Sequence, residues 1–282
     1  MKDKIRVSMF QMEILSGTGG PKNKSVNLSR ALEFIENSSD ADLYVLPDEF
    51  YAGYGYGLSS MPDFTKKKCL EKFCELAAKK SVYIAFSCLI QSEGLKRFKS
   101  HSCGMLIGPA GVVECVQKRS YIFQREREWV VPCEDEKVEV FHTPLGSIAF
   151  VIGFDTVHQD VWDKIFADQP DIVINPLYYI KQHAHVMENN LDPDFFDYSV
   201  YYDAAVRYHA MRGNCFVLSC SGVGSYGPQM KYRAAGGTKV IFPQGKVIPA
   251  ASEDKECVLH VTLLKEDLMK CRDLAHQTVP DG

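Results

Sequence analysis

The chain has 282 residues, of which 46% are hydrophobic and 24% are charged, a balance typical of a globular protein with a sizeable core. Its formal net charge of -4 and its lack of a basic cluster argue against a nucleic-acid partner. No apolar run approaches the roughly 20 residues that span a bilayer, and the first residues lead directly into a strand pattern rather than a signal peptide. We therefore expect a soluble, cytoplasmic protein that binds neither nucleic acid nor membrane.

The ten cysteines do not form the pattern of a disulfide framework or of a metal site. They are scattered, mostly within apolar strand or helix patterns, and no C-x-x-C pair occurs. His158, His183 and His185 likewise lack the cysteine or carboxylate spacing that a metal centre needs. Buried, reduced thiols are the favoured interpretation, and we expect neither a metal nor a cofactor.

In the first half of the chain, strand-like and helical patterns alternate, which is typical of an α/β protein. An apolar period over 23–37 predicts a helix, and Thr65 is a candidate N-cap for a second helix. Apolar runs rich in β-branched residues predict the strands 5–12, 43–46, 82–90, 103–108 and 112–118.

The second half continues the alternation and contains no linker of low complexity and no tandem repeat. A long helix is predicted over about 195–211. Strands are predicted at 138–141, 148–152, 172–175, 216–220, 239–242, 246–248 and 258–263. We therefore expect a single domain over residues 1–282.

Several stretches in this order carry a resemblance to a known family. Residues 41–47 read Ala-Asp-Leu-Tyr-Val-Leu-Pro, residues 147–155 form a buried strand that ends Ile-Gly-Phe-Asp, and residues 171–176 read Asp-Ile-Val-Ile-Asn-Pro. With the glycine-rich stretches 236–238 and 242–245, they resemble the carbon–nitrogen hydrolase (nitrilase) superfamily from the first strand to about residue 265. The resemblance implies a nitrilase-type α-β-β-α sandwich, two mixed sheets between helical layers, in a homodimer or a higher homo-oligomer.

The resemblance also implies where a Glu-Lys-Cys catalytic set would lie. Lys118 matches the family's lysine, and Glu126, with Glu128 as the less favoured alternative, matches a second glutamate that many members have near it. Asp48 falls on the glutamate position, although a bulge would turn the adjacent Glu49 toward the cleft instead. Gly153 occupies the position of the nucleophilic cysteine, so the family's thiol is missing.

Aromatic residues flank these positions and are candidates for binding a small-molecule ligand. Core or rim packing is an equally good interpretation of such side chains. The candidates are Phe50, Tyr54, Phe154, Tyr178 and Tyr179.

Three functional hypotheses follow from the missing nucleophile. The leading one is a pseudoenzyme that has lost cysteine-dependent hydrolysis and binds a ligand or partner in its cleft. The second is a repurposed enzyme that uses Asp48 and Lys118 for acid–base chemistry on a C–N substrate without a thiol. The third is a nucleophile-substituted variant of an active amidohydrolase, which the additional change at Asp48 disfavours.

Overall fold

The computed structural model describes residues 1–16, 20–53, 68–91, 99–133, 138–179, 181, 198–226 and 232–278. Two six-stranded mixed sheets pack face to face, and helices cover their outer faces. The arrangement is the α-β-β-α sandwich expected from the sequence. No helix within the described ranges is long and apolar enough to cross a membrane.

The first sheet has the strand order β14-β1-β2-β3-β4-β5, in which β1, β2 and β3 run parallel. Two helices connect these parallel strands and pack on the outer face. The elements are β1 (Lys4–Gln11), α1 (Gly20–Asn37), β2 (Leu43–Val45), α2 (Cys69–Lys80), β3 (Tyr83–Ile90), β4 (His101–Ile107), β5 (Val113–Lys118) and a short 3₁₀ helix, η1 (Gln124–Glu128).

The second sheet has the order β13-β12-β9-β8-β7-β6, with β7, β8 and β9 parallel at its centre. Its elements are β6 (Phe141–Thr143), β7 (Gly146–Phe150), a 3₁₀ helix η2 (Gly153–Val157), α3 (Gln159–Phe166), β8 (Ile172–Leu177), α4 (Tyr198–Arg212), β9 (Phe216–Ser221), the hairpin β10 (Ser225–Tyr226) and β11 (Tyr232–Arg233), β12 (Lys239–Ile241) and β13 (Val247–Pro249). The chain then returns to the first sheet as β14 (Cys257–Leu264) and ends in α5 (Lys265–Thr278).

Close contact between the two sheets depends on a glycine in β4. A Cβ atom at Gly104 would lie 2.5 Å from the ring of Phe150 in the opposite sheet. Alternate residues of each strand therefore meet in one apolar layer, which includes Val45, Leu106 and Ile174. The strand ends that border this layer carry the candidate site.

The structure differs from the predicted elements in several places. The strand predicted at 138–141 begins only at Phe141, because the amide of Glu139 donates to Gln117 Oε1 of the first sheet instead of continuing the β6–β7 ladder. The helices α3 and α5 were not predicted. The candidate N-cap Thr65 lies outside the described residues, and the described helix α2 follows Lys68, whose φ is 52°.

Candidate functional site

The carboxyl ends of three strands meet at one edge of the sandwich, where ligand sites of open α/β sheets commonly lie. Asp48 follows β2, Arg119 follows β5 and Gly153 follows β7. The amide of Asp48 donates to the carbonyl of Leu177 at 3.4 Å and so connects the two sheets here. The fold therefore brings the Asp48 and Gly153 positions together.

Asp48 is the acidic group at the centre of this edge. Its carboxylate is buried and accepts a hydrogen bond from Ser87 Oγ of β3. Burial raises the pKa of Asp48 to about 6, while the charge of Arg119 and the hydrogen bond from Ser87 limit the rise. The alternative candidate, Glu49, has a φ of 53° and lies where its charge acts on Cys103 instead. Asp48 is thus the carboxylate that faces Gly153.

The cation beside Asp48 is Arg119, which the sequence analysis did not single out. Arg119 is buried, with Nη1 4.0 Å from Asp48 Oδ2 and Nη2 2.6 Å from Glu126 Oε2. Lys118 is half-buried and opposite Cys103 in the β4–β5 ladder. Because neighbouring strand residues point to opposite faces, Lys118 points away from the face that Arg119 occupies. The structure therefore places Arg119 beside Asp48, one residue after the predicted Lys118.

Glu126 is the second carboxylate in contact with the cation of the site. It belongs to η1, and besides Arg119 its carboxylate accepts the amide of Phe123 at 2.8 Å. A charge-assisted bond to a guanidinium and a backbone hydrogen bond hold this carboxylate in one orientation.

Gly153 has a backbone conformation that favours glycine, and the space beside it is occupied. Its φ is 51°, in the left-handed region. A Cβ atom built on it would lie 2.8 Å from Arg119 Nη1 and 3.1 Å from Asp48 Oδ2. Arg119 and Asp48 therefore fill the volume that a side chain at position 153 would enter.

The turn after Gly153 is fixed by a buried hydrogen-bond network that the sequence analysis missed. Thr156 Oγ1 donates to the carbonyl of Gly153 at 2.7 Å and accepts Asn175 Nδ2 at 2.8 Å. Asp155 is buried and accepts the amides of Ser120 at 3.0 Å and Tyr121 at 2.6 Å. Burial raises the pKa of Asp155 to about 7 in spite of these two bonds.

Of the predicted ligand-binding aromatics, Phe50 is corrected by the structure. Its ring is fully buried between those of Phe73 and Phe86, with centroids 5.6 and 5.4 Å away, and so belongs to the core under α2. Tyr178 is buried in the same core, and its hydroxyl is 3.3 Å from Ser16 Oγ.

The other aromatic candidates lie closer to the site edge. Tyr179 stacks on Tyr202 of α4 with ring centroids 4.4 Å apart. Phe154 directly follows Gly153, is half-buried and contacts the rings of Phe123 and His158. Tyr54 lies outside the described residues.

All ten cysteines lie within the described part of the chain, and none of them follows β7. Burial raises the pKa of Cys103, Cys115 and Cys215 to about 12, which keeps these thiols protonated and unreactive at neutral pH. Among the described residues, no group of three His, Cys, Asp or Glu side chains is arranged to hold a metal ion.

The site residues missed from the sequence are Ser87, Arg119 and Asp155. In the structure Cys115 and Gln117 of β5 are buried and Glu114 and Val116 are exposed, and this alternation turns Arg119 inward and Lys118 outward. The sequence gives no such signal for Arg119, because the exposed residue Val116 is apolar and the buried residue Gln117 is polar. Ser87 sits in a continuously apolar strand and likewise offers no signal.

Comparison with known proteins gives a consistent result. The carbon–nitrogen hydrolase family model matches residues 6–273. A probable nitrilase of Schizosaccharomyces pombe is 24% identical over 243 residues, which are 85% of this chain and 82% of that protein. Nit3 of Saccharomyces cerevisiae, a member of branch 10 of the nitrilase superfamily, is 21% identical and has a TM-score of 0.77, covering 99% of this chain and 96% of its own.

A more distant structure has the same fold. It is a mutant of the amidase from Nesterenkonia sp. AN1 that shows covalent addition of the acetamide moiety of fluoroacetamide at its active-site cysteine. This amidase is 13% identical and has a TM-score of 0.70, and the match covers 98% of this chain and 97% of that one.

Proposed function

We propose that this chain, which belongs to the carbon–nitrogen hydrolase family, is a degenerate member that lacks cysteine-dependent hydrolysis and retains its cleft for binding a small-molecule ligand. The main support for the proposal is the residue at position 153 and the close approach of Arg119 and Asp48 to it. Glycine provides no nucleophile there, and Arg119 and Asp48 occupy the space beside it. The Nesterenkonia amidase carries its covalent acetamide moiety at a cysteine, whereas the turn after β7 of this chain offers no thiol.

The size of the expected loss follows from how covalent catalysis works. Removing the nucleophile from a cooperating catalytic unit costs on the order of a millionfold in turnover. Binding and oxyanion stabilisation alone leave roughly a thousandfold to ten-thousandfold over the uncatalysed rate. We therefore expect no ammonia release above a heat-inactivated control from amides, nitriles or N-carbamoyl compounds.

The decisive experiment compares the natural protein with two variants on that substrate panel. Gly153→Cys alone is expected to stay inactive, because its Cβ would contact the Arg119 guanidinium at 2.8 Å. The double variant Gly153→Cys with Arg119→Lys removes the branched head group and is expected to regain measurable turnover. Circular dichroism and thermal unfolding of each variant are the control for folding.

Each outcome of this experiment has a distinct meaning. Turnover by the natural protein would overturn the proposal, because it requires chemistry without the thiol. Full activity of Gly153→Cys alone would show that Arg119 does not block the site. Activity of the double variant only would support a cleft that has lost its nucleophile and been closed by Arg119.

A second candidate function, a repurposed enzyme, is favoured by one observation. Asp48 is buried and its pKa is raised to about 6, so the carboxylate can exchange a proton near neutral pH. Arg119 stays protonated at every relevant pH and could only stabilise negative charge. For this function Asp48→Asn is expected to abolish turnover of a C–N substrate, and Lys118→Ala is expected to do the same if Lys118 is the second catalytic group, as the sequence predicted.

The third hypothesis, a nucleophile-substituted amidohydrolase, does not account for Arg119 or Asp48.

A homodimer is also part of the proposal, and exposed apolar side chains support it. On α4, Val200 is 66% exposed, Tyr201 and Tyr208 are each 55% exposed and Met211 is 51% exposed. Large apolar side chains clustered on one helix are typical of protein–protein contact surfaces. Light scattering coupled to size-exclusion chromatography is expected to give twice the 31.8 kDa chain mass, and Tyr208→Glu with Met211→Glu is expected to shift it to the monomer mass.

A further inference from the structure

We infer that Asp155 is a positioning residue that holds the turn at Gly153 against Arg119 and so keeps the site closed. This inference rests on the proposed function, in which Arg119 and Asp48 fill the space beside position 153, and it names the residue that maintains the closure. It is carried by the hydrogen bonds of one buried carboxylate, which connects the two halves of the sandwich at the edge where the site lies.

The two sides of the closure belong to different sheets. Gly153 follows β7 of the second sheet, whereas Arg119 follows β5 of the first sheet. The backbone of Arg119 is bonded on its own side, because its amide donates to the carbonyl of Ser102 at 2.8 Å and its carbonyl accepts the amide of Cys133 at 2.9 Å. Neither of these two bonds sets the distance from Arg119 to Gly153.

Asp155 provides the connection between the two sides. It lies in η2, two residues after Gly153, and is 2% exposed. Its Oδ2 accepts the amide of Ser120 at 3.0 Å, and its Oδ1 accepts the amide of Tyr121 at 2.6 Å. These two amides belong to the residues that directly follow Arg119. One carboxylate therefore sets how closely the segment after β5 approaches the turn after β7.

The bonds of Asp155 are well suited to fix this distance. Hydrogen bonds to an ionised group are roughly twice as strong as neutral ones, and at about pH 8 the carboxylate is ionised, since its pKa is about 7. The backbone bond from Asp48 to Leu177, which also joins the sheets at this edge, is longer at 3.4 Å. We therefore expect the turn to move away from Arg119 when the carboxylate is replaced.

The test measures how fast a thiol at position 153 reacts with iodoacetamide at about pH 8. The background is Gly153→Cys in the full chain, in which the guanidinium of Arg119 is expected to shield the introduced thiol. Asp155→Asn keeps the size of the side chain but retains only one acceptor oxygen for the two backbone amides. We expect it to make alkylation at position 153 about tenfold faster, because a hydrogen bond to a charged group is lost.

An internal thiol and a matched variant separate positioning from general loosening. Cys220 is fully buried between the sheets, where its thiol donates to two backbone carbonyls at 3.5 Å. Its alkylation, followed by peptide mass spectrometry, is expected to stay unchanged in Asp155→Asn. Asp160→Asn is the matched control, because Asp160 is exposed and accepts only the hydroxyl of Tyr121, at 2.8 Å. We expect it to leave alkylation at position 153 unchanged.

A double-mutant cycle tests whether Asp155 acts through Arg119. Arg119→Lys removes the branched head group and is expected to expose the thiol at position 153 by itself. In that background Asp155→Asn is expected to add no more than about twofold to the alkylation rate, because residues that act on one contact are not additive. A residue that only supports the fold would add its full effect in both backgrounds.

A second measurement needs no substitution at position 153, where a φ of 51° disfavours any side chain. Butanedione labels accessible arginine side chains, and Arg119 is 4% exposed in the natural protein. We expect Asp155→Asn to raise the labelling rate of Arg119 about tenfold, while Asp160→Asn leaves it unchanged.

Unchanged labelling of both position 153 and Arg119 in Asp155→Asn would overturn the inference. Equal increases at position 153 and at Cys220 would also overturn it, because they mean that the whole fold loosens. Full additivity with Arg119→Lys would show that the carboxylate does not act through Arg119, with the same consequence. None of these experiments measures turnover. Failure of the inference therefore leaves the proposed function to the substrate panel, and turnover by the natural protein would overturn the proposed function alone.

Discussion

His209 lies inside α4 with its ring stacked on Trp162, at 4.4 Å between centroids and 7° between planes. Its Nδ1 is buried without a hydrogen-bond partner among the described residues. Burial, assisted by the charge of Arg212, lowers the pKa of His209 to about 4. The neutral imidazole therefore behaves as an aromatic core residue, and its protonation opposes folding.

The lowered pKa of His209 predicts how the stability of the protein depends on pH. The pKa in the folded state is below the unfolded value of 6.5, so the contribution of neutral His209 to the free energy of unfolding is complete above about pH 6.5 and is lost as the pH falls toward 4. We expect His209→Phe, which keeps the stacking, to flatten the fall of the urea midpoint over this range. His142→Asn, at an exposed histidine, is the control. An equally steep fall in both variants would contradict the assignment to His209.

At the scale of elements, the side chain of Arg272 connects α5 to the second sheet. Arg272 Nη1 donates to Asp171 Oδ1 at 2.9 Å, and Nη2 donates to the carbonyls of Gln169 at 3.3 Å and Pro170 at 2.9 Å. The helix follows β14 of the first sheet, so this contact spans both halves of the sandwich. Hydrogen bonds to a charged group are worth more than exposed ion pairs.

We therefore expect Arg272→Ala to lower the free energy of unfolding by about 1–3 kcal/mol. Lys270→Ala is the matched control in the same helix, because its pairing with Glu266 is exposed and exposed ion pairs contribute little to stability. Urea denaturation measures both variants. Equal losses would mean that Arg272 does not connect the helix to the sheet.

At the scale of the whole molecule, buried acids make stability depend on pH in the direction opposite to His209. Burial raises the pKa of Asp48 to about 6 and that of Asp155 to about 7. The contributions of the two protonated carboxyl groups to the free energy of unfolding are complete below the unfolded pKa of 3.8. They are lost as the pH rises through the pKa values of the folded state. We expect a higher urea midpoint at about pH 5 than at about pH 8.

Asp155→Asn is expected to reduce this difference between the two pH values, because the amide does not titrate. The comparison uses the change with pH and not the absolute midpoint, since the variant also alters the bonds to Ser120 and Tyr121. If the urea midpoint of Asp155→Asn differs between the two pH values as much as that of the natural protein does, groups other than Asp155 cause the pH dependence.

The architecture was predictable because the hydrophobic pattern and the order of the motifs extend over many residues. The site was harder to predict, because a shift of one residue along a strand changes which side chain faces it. The strands and the α-β-β-α sandwich followed from alternating apolar runs and the resemblance. Lys118 was one residue from the inward-facing Arg119, and such a shift reverses the face of a strand residue. Phe50 was misassigned because a buried aromatic has the same sequence signal in a core as in a cleft.

The close approach of Arg119 to Gly153 means that a substitution at position 153 depends on the residue at position 119. A side chain at 153 would meet the guanidinium and would also have to adopt a φ of 51°. Under the proposed function, we expect a cysteine at position 153 to restore hydrolysis only together with a change at position 119, so either change made alone brings no catalytic gain.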